Sequence, residues 1–219
     1  MSPGSSITGF PPGLVLAPGT TNTNNPAAAQ AQLDLTAAYV DAAGRPIDAT
    51  TTADLANLTL QPGVYSGPSK SPLSLTGPLT LDAAGDPSAV FIFQTDSTLI
   101  TGSASTVTLI NGAQECNVFW QVASSATLGT GSVFVGNILA LTSITVTNGV
   151  TVHGRALARN AAVTLDNDTF TRPTCAQTLP TTTTTTTTTT PGTPGTPGTP
   201  GTPGTPATPA VSTKPSFTG

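Results

Sequence analysis

The chain has 219 residues and a net charge of −4, and only 7% of its residues are charged, against roughly 25% in ordinary globular domains. Its six lysines and arginines form no basic stripe that could bind phosphates, which argues against a nucleic-acid partner. No segment reaches the roughly 18 consecutive apolar residues of a transmembrane helix, and residues 1–20 lack the basic and apolar regions of a signal peptide. The length leaves room for one domain.

A helix is predicted over residues 26–43. Asn25 is a suitable N-cap, and Pro26 lies where its missing N–H costs nothing. Gly44 is expected in the left-handed position that follows many helices. The apolar face is rich in alanine, which predicts that the helix packs closely against a sheet. A second, shorter helical turn is predicted near Thr52.

From Leu58 to Phe170 the sequence predicts short strands in a pattern that nearly repeats. Matching positions are 16 to 29 residues apart, with Gly and Asn at the turns, which is typical of a β-solenoid. One predicted inward set is Phe93, Trp120, Ile138 and Ala156, and the other is Leu99, Leu128, Ile144 and Val163. A β-sandwich would also give short alternating strands, but the stacking of like residues favours the solenoid.

The residues that flank the second inward set are predicted to point outward, and most are small and neutral. One row holds Thr98, Thr127, Ser143 and Ala162, the next holds Ile100, Gly129, Thr145 and Thr164, and a third begins with Thr147 and Asp166. Ile100 and Asp166 interrupt the pattern. Because strands in neighbouring coils lie about 4.8 Å apart, these rows predict a flat grid of methyl and hydroxyl groups.

Such a grid lacks the concavity and charged anchor of a small-molecule site. It suits a flat, repeating partner such as ice, because methyl groups order the first water layer and hydroxyl groups anchor it. A glycan surface such as cellulose is a weaker candidate, since no aromatic side chains lie in these rows. The alternative is that Thr and Ser are simply favourable residues on an exposed strand.

Cysteines, sequons and the C-terminal tail bear on the environment of the protein. Cys116 and Cys175 could form one bridge or remain two buried thiols. Asn57 and Asn167 begin N-x-Thr sequons, which would be N-glycosylation sites in an exported protein. Ten threonines at 181–190 precede Pro-Gly-Thr repeats, so we expect a disordered tail. That composition is typical of an O-glycosylated stalk, and an unmodified tail is the alternative.

Several segments resemble the microbial ice-binding protein family of fungi, bacteria and microalgae. They include "SPGSSITGFPPG", "CNVFWQVASSATLGTGS", "GNILA" and "VHGRALARNAAVTLDNDTF", and the similarity runs from about Ser2 to Cys175. The resemblance implies a mostly β fold, namely an irregular right-handed parallel β-helix of three faces with one long helix alongside and one flat ice-adsorbing face. It implies a domain at 1–176 followed by the disordered tail at 177–219. Family members begin with further residues before the Ser2 segment, so it also implies an N-terminal truncation that would account for the absent signal peptide.

The predicted function is adsorption to ice through the flat face, which gives thermal hysteresis and inhibits ice recrystallisation. The predicted ice-binding residues are Thr98, Thr127, Gly129, Ser143, Thr145, Thr147, Ala162 and Thr164. We expect a secreted monomer whose partners are the ice surface and ordered water, with no cofactor, metal, nucleic acid or membrane. The alternative function is that of a secreted cell-wall or adhesion glycoprotein without ice activity.

An enzyme is the remaining alternative, because parallel β-helices also include polysaccharide lyases and hydrolases. Those reactions require paired carboxylates or a metal-activated base in a cleft. Asp96, Asp166 and Asp168 lie near predicted turns, and His153 is the only histidine. The sequence contains no metal-ligand cluster, nucleophile elbow or phosphate loop, so we predict that the protein is not an enzyme.

Overall fold

Short parallel strands wind around a common core in the computed structural model, which describes residues 6–175. One α-helix, α1, spans Pro26–Gly44, and two 3-10 helices span Pro68–Lys70 and Glu115–Asn117. The strands are β1 Ala49–Thr50, β2 Thr59–Leu60, β3 Gly63–Ser66, β4 Leu73–Leu75, β5 Pro78–Asp82, β6 Phe91–Thr95, β7 Leu99–Thr101, β8 Thr106–Ile110, β9 Val118–Val122, β10 Ala126–Leu128, β11 Val133–Ala140, β12 Ile144–Val146, β13 Thr151–Ala158, β14 Val163–Thr164 and β15 Thr169–Thr171. The predicted tail at 177–219 lies outside the described residues, so the domain boundary at residue 176 stays a prediction.

The strands form three faces, and each coil of the chain visits face A, then face B, then face C. Face B is the five-stranded sheet, in the order β14-β12-β10-β7-β4. A ten-stranded sheet bends to form the other two faces. Face A holds β1, β3, β6, β9 and the second halves of β11 and β13. Face C holds β2, β5, β8, the first halves of β11 and β13, and β15. The predicted β-helix with one long helix alongside is confirmed.

The predicted alignment of the coils is confirmed for the first inward set and wrong by two residues in part of the second. The first set is in register as predicted: Phe93, Trp120, Ile138 and Ala156. The second set that shares a register is Leu99, Ala126, Ile144 and Val163. The first three are buried, but Val163, on the last strand of face B, is exposed, so its predicted burial is wrong. Leu128 instead pairs with Val146. Because side chains alternate with a period of two, Ala126 and Leu128 both point inward and both are buried. The error therefore changes which outward residues are neighbours, but not which residues point outward.

Aromatic rings form a continuous stack through the core. Tyr65, Phe93, Trp120 and Phe134 follow one another, with successive ring centroids 5.7, 4.1 and 5.0 Å apart. The indole N–H of Trp120 donates to the Val135 carbonyl at 3.0 Å, so the largest buried side chain has its polar atom satisfied. Tyr65, Phe93 and Trp120 lie on β3, β6 and β9, so their ring contacts tie three successive coils together, and Phe134 extends the cluster across the core to face C.

Helix α1 covers face A. Its N-cap is Asn25, as predicted, because the Asn25 side chain accepts a hydrogen bond from the Ala28 N–H at 2.9 Å. Leu35, Tyr39 and Ala42 pack against the outward side of face A in a second apolar cluster. Since the helix shields this face from solvent, faces B and C are the two flat surfaces left to water.

The predicted left-handed position at Gly44 is wrong. Gly44 is the last helical residue, and Arg45 caps the helix with an extended backbone at φ −68°. The buried amide of Gln94 donates to the carbonyls of Ala42 and Arg45 at 2.7 and 2.8 Å. The Gln94 amide thus bonds to carbonyls at the end of the helix. In many helices a residue with a left-handed backbone provides such bonds instead.

The second helical turn predicted near Thr52 is also wrong. This segment forms the first rung of face B instead, through a parallel bridge between Asp54 and Ser74. The Leu55 N–H donates to the Ser74 carbonyl at 2.9 Å, and Leu55 is fully buried. Pairing with β4 and burial of Leu55 override the weak helical propensity of the segment.

Cys116 and Cys175 form a disulfide, and the two positions are 59 residues apart in the sequence. Cys116 lies in the turn from face C to face A between β8 and β9, and Cys175 follows β15. The bridge therefore fastens the segment after the last strand to an earlier coil.

Removal of this disulfide is expected to destabilise the protein without changing face B. The double variant Cys116→Ser/Cys175→Ser should lose about 2–4 kcal/mol of unfolding free energy, because the bridge restricts the unfolded chain over a long loop. Chemical denaturation of the variant and the oxidised parent measures the difference. Equal denaturation midpoints would contradict this prediction.

Candidate functional site

Face B carries three rows of outward residues that run across its strands. The first row is Thr98, Ser125, Ser143 and Ala162. The middle row is Ser74, Ile100, Thr127, Thr145 and Thr164. The third row is Thr76, Gly102, Gly129 and Thr147. Short strands of three residues or fewer hold these rows in register through parallel pairing with the strands of neighbouring coils.

All eight residues predicted for the site lie on face B, but two of them occupy different rows from those predicted. Thr127 belongs to the middle row rather than the first, and Gly129 belongs to the third row rather than the second. The two-residue error in the coil that contains Leu128 explains both changes. The corrected middle row brings Thr127, Thr145 and Thr164 side by side on three successive strands.

Four further residues of this face were not predicted from the sequence: Ser74, Thr76, Gly102 and Ser125. The segment around Ser74 alternates inward leucines with outward Ser and Thr, and this period of two could have added its coil to the alignment. Ser125 lies two residues before Thr127, so the corrected register alone identifies it.

The hydroxyl groups of face B fall into two kinds. Some are bonded within the protein: Ser125 Oγ lies 2.7 Å from Thr142 Oγ1 and 2.9 Å from Ser143 Oγ, and the Thr147 hydroxyl donates to the Leu128 carbonyl at 2.8 Å. In contrast, the hydroxyls of Thr127, Thr145 and Thr164 make no hydrogen bond to any residue within 6–175. These three threonines of the middle row therefore offer their hydroxyl groups to water, whereas the Ser74 hydroxyl of the same row donates to the Ala53 carbonyl at 3.3 Å.

Two glycines keep the third row flat. A Cβ on Gly129 would lie 2.5 Å from the backbone of Gly102. The two neighbouring coils therefore approach too closely here for any side chain. The gap leaves Thr127 and Ile100 unobstructed on this side.

Asp54 is the acidic residue at the first rung of face B. Burial raises the pKa of Asp54, but hydrogen bonds from the Thr76 hydroxyl, the Thr76 N–H and the Ala56 N–H outweigh that effect and hold the pKa below its ordinary value of 3.8. These bonds favour the charged carboxylate. The carboxylate thereby fixes Thr76 at the edge of the face.

The lowered pKa of Asp54 predicts an acid-sensitive contribution to stability. A carboxyl group whose pKa is lower in the folded state stabilises the fold above its unfolded pKa and loses that effect as the pH falls through the folded value. We therefore expect the melting temperature of the native chain to fall more than that of Asp54→Asn below about pH 4. Thermal unfolding at a series of pH values tests this, and parallel profiles for the two proteins would contradict it.

Face C also carries outward threonines, none of which belongs to the predicted site. Thr106, Thr151 and Thr169 share one row with Val133, and Thr59, Thr80 and Thr108 share another. Exposed Val133 and Ile110 interrupt the pattern, and His153 lies on the same face beside Glu115, 3.7 Å from its carboxylate. Face B is the more uniform of the two surfaces.

The residues considered for an enzyme do not form a catalytic pair. Asp96 lies 3.7 Å from the Lys70 ammonium, and Asp168 accepts hydrogen bonds from the Val150 and Asp166 N–H groups at 2.8 Å each. The His153 ring lies 2.8 Å from the Thr171 hydroxyl. Within residues 6–175, no three His, Cys, Asp or Glu side chains are grouped to hold a metal ion. No helix in the same part of the chain is long and apolar enough to cross a membrane.

Both sequons lie at the corner between faces B and C, one at each end of the solenoid. Asn57 follows the first rung of face B and Asn167 follows β14, and both side chains are exposed. Both residues have positive φ angles, 64° and 55°, which are typical of Asn in turns. A glycan at either position would project from an edge of face B.

The fold and the site together define a class of protein: a three-faced β-solenoid with one flat, nearly uncharged surface of hydroxyl and methyl groups. Comparison with known proteins identifies the family within that class. A model of the ice-binding-like family matches residues 1–171, and the chain belongs to that family.

Relatives and solved structures support this assignment. An ice-binding protein from Nostoc sp. (strain HG1) is 53% identical over 79% of this chain, and one from Colwellia sp. is 42% identical over 64%. The matches cover 65% and 55% of the lengths of those two relatives. A crystal structure of an ice-binding protein from an Antarctic biological consortium has a TM-score of 0.75 and 48% identity, covering 79% of this chain and 78% of its own. The crystal structure of the ice-binding protein from the Antarctic ascomycete Antarctomyces psychrotrophicus has a TM-score of 0.72 and 43% identity, and it covers 76% of this chain and 80% of its own.

Proposed function

We propose that this protein binds ice through face B. The observation that carries the proposal is the middle row, in which Thr127, Thr145 and Thr164 lie in register on adjacent strands with hydroxyl groups free for water. Membership of the ice-binding-like family supports it. The predicted residues Thr98, Gly129, Ser143, Thr147 and Ala162 complete the proposed surface on either side of this row.

The mechanism follows from how such a surface meets water. Neighbouring threonines are about 4.8 Å apart across the strands, and their methyl groups order the first water layer while their hydroxyls anchor it. A β-branched side chain has few χ1 rotamers, so little side-chain entropy is lost when this layer joins a crystal. Adsorbed protein then blocks growth at the places it occupies, which produces thermal hysteresis and stops recrystallisation.

The remaining features of the proposal concern the form in which the protein acts. We infer that it acts as an extracellular monomer without cofactor or catalytic activity, and that Asn57 and Asn167 carry N-linked glycans where the host has that pathway. The Thr/Pro-rich tail favours an extracellular location, since that composition is typical of an O-glycosylated stalk.

Ice recrystallisation and crystal shape test the proposal. Purified protein at micromolar concentration should arrest recrystallisation and produce facetted crystals, while circular dichroism verifies that the sample is folded. Unaltered crystals in the presence of folded protein would overturn ice binding and favour the alternative, a cell-wall or adhesion glycoprotein.

A further inference from the structure

A groove of about 940 Å³ follows the corner between faces C and A, away from the threonine rows of face B. It is an open groove rather than an enclosed cavity. Three turns that lead out of face C line it, together with one residue of the N-terminal segment and one of β13. The lining residues are Pro18, Pro87, Ser88, Gln114, Cys116, Asn117, Arg155 and Arg172 to Cys175. In a three-faced solenoid this corner is opposite face B.

The groove is a cationic site in an acidic protein. Two arginines and no carboxylate line it, although the whole chain has a net charge of −4. Arg45 and Lys70, in contrast, each lie beside an aspartate, at 2.9 and 3.7 Å. Glu115 is the acidic residue of the turn that lines the groove, and its carboxylate lies beside His153. Within residues 6–175, the Arg172 guanidinium has no hydrogen-bonding or ionic partner.

Arg155 is held in place from the protein interior. Its Nη1 donates to Asn137 Oδ1 at 2.8 Å. Asn137 is only 4% exposed, and its Nδ2 donates to the Cys116 and Val118 carbonyls at 3.3 and 3.1 Å. A buried amide that is itself fixed by the backbone therefore orients one guanidinium, whose other N–H groups remain available to a ligand.

We propose that this groove binds the carboxylate of an acidic sugar, free or within an extracellular polysaccharide. A guanidinium binds a carboxylate through two parallel hydrogen bonds, and Arg155 and Arg172 supply two such groups. The Thr174 hydroxyl and the Asn117 side-chain carbonyl suit the hydroxyl groups of a sugar ring. The Ser88 hydroxyl donates to the Asp86 carboxylate at 2.6 Å and the Asn117 Nδ2 donates to the Pro87 carbonyl at 3.3 Å, so these donors serve the protein and not the ligand. The rings of Pro87 and Pro173 provide apolar surface for its C–H groups.

The position of the groove would allow it to bind a ligand while face B is bound to ice. Because it lies opposite face B, a protein adsorbed to a crystal through face B would still present the groove to solvent. One chain could then join ice to an acidic polysaccharide. Binding at the groove does not depend on ice binding, so either activity can fail without the other.

Isothermal titration of the full chain with trigalacturonate tests the proposal, with galacturonate, the neutral trisaccharide maltotriose and inorganic sulfate as comparison ligands. Trigalacturonate should bind and maltotriose should not. Tighter binding of the trimer than of galacturonate identifies a polysaccharide as the ligand, whereas equal binding identifies the free sugar. Arg172→Gln should weaken binding at least about tenfold, and Arg172→Lys should recover only part of it. Arg45→Gln, an equal charge change outside the groove, should leave binding unchanged.

Several results would overturn the assignment. These are absence of trigalacturonate binding, equal binding by Arg172→Gln, and sulfate binding as tight as trigalacturonate, which would mean an anion site without sugar recognition. Circular dichroism verifies that the variants are folded. Crystal shaping by Arg172→Gln should match that of the parent, which separates this site from face B.

Discussion

Thr145→Tyr should abolish crystal shaping and raise the concentration needed to arrest recrystallisation by more than about tenfold. Thr145 is the central one of the three adjacent threonines of the middle row, between Thr127 and Thr164, and its side chain is exposed. A tyrosine ring would stand above the flat surface and hold both neighbours away from a crystal. If each neighbour loses a hydrogen bond worth about 1 kcal/mol, adsorption weakens by more than tenfold. The fold should survive, because no buried atom is changed.

Thr108→Tyr is the matched control on face C. Thr108 is also exposed and lies in the middle of β8, where it pairs with Thr80 on β5. The same substitution there should leave ice activity unchanged, provided that face B is the active surface. Loss of activity in Thr108→Tyr with full activity in Thr145→Tyr would assign ice binding to face C. Loss in neither variant would exclude both flat faces.

The fold could be predicted from the sequence because its main signals are local. Alternation with a period of two marks the strands, and similar buried residues recur at coil spacing, as Phe93, Trp120 and Ile138 do. The N-cap at Asn25 is also a local signal. Gly44 and Thr52 show the limit of such signals, because the Gln94 amide and the pairing of Asp54 with Ser74 come from residues distant in sequence.

The composition of the site could be predicted better than its register. An alignment error of two residues leaves inward residues inward and outward residues outward. The sequence therefore predicts the correct face for Thr127 and Gly129, but the wrong rows. The groove could not be predicted at all. Arg155, Arg172 and Asn117 belong to three different coils, and only the winding of the chain brings them to one corner.

Gly154→Ala should destabilise the protein by more than about 4 kcal/mol, the size reserved for severe steric conflicts in a core. Gly154 on β13 pairs with Gly136 on β11 at the corner between faces C and A. A Cβ on Gly154 would lie 1.8 Å from the Gly136 carbonyl oxygen, so the two strands would have to separate. Gly136 cannot yield easily, since the space beside it is filled by Val118 and Trp120.

Gly131→Ala separates this steric effect from the general cost of replacing a glycine. Gly131 has a φ of +66°, and no atom lies within 4 Å of the added Cβ, so its substitution should cost only about 1–2 kcal/mol of left-handed strain. Chemical denaturation of both variants measures the difference. Equal losses would mean that backbone conformation, not the close approach of β11 and β13, requires glycine at this corner. A much larger loss of unfolding free energy in Gly154→Ala would instead establish that the close contact of β11 and β13 requires glycine at the corner between faces C and A.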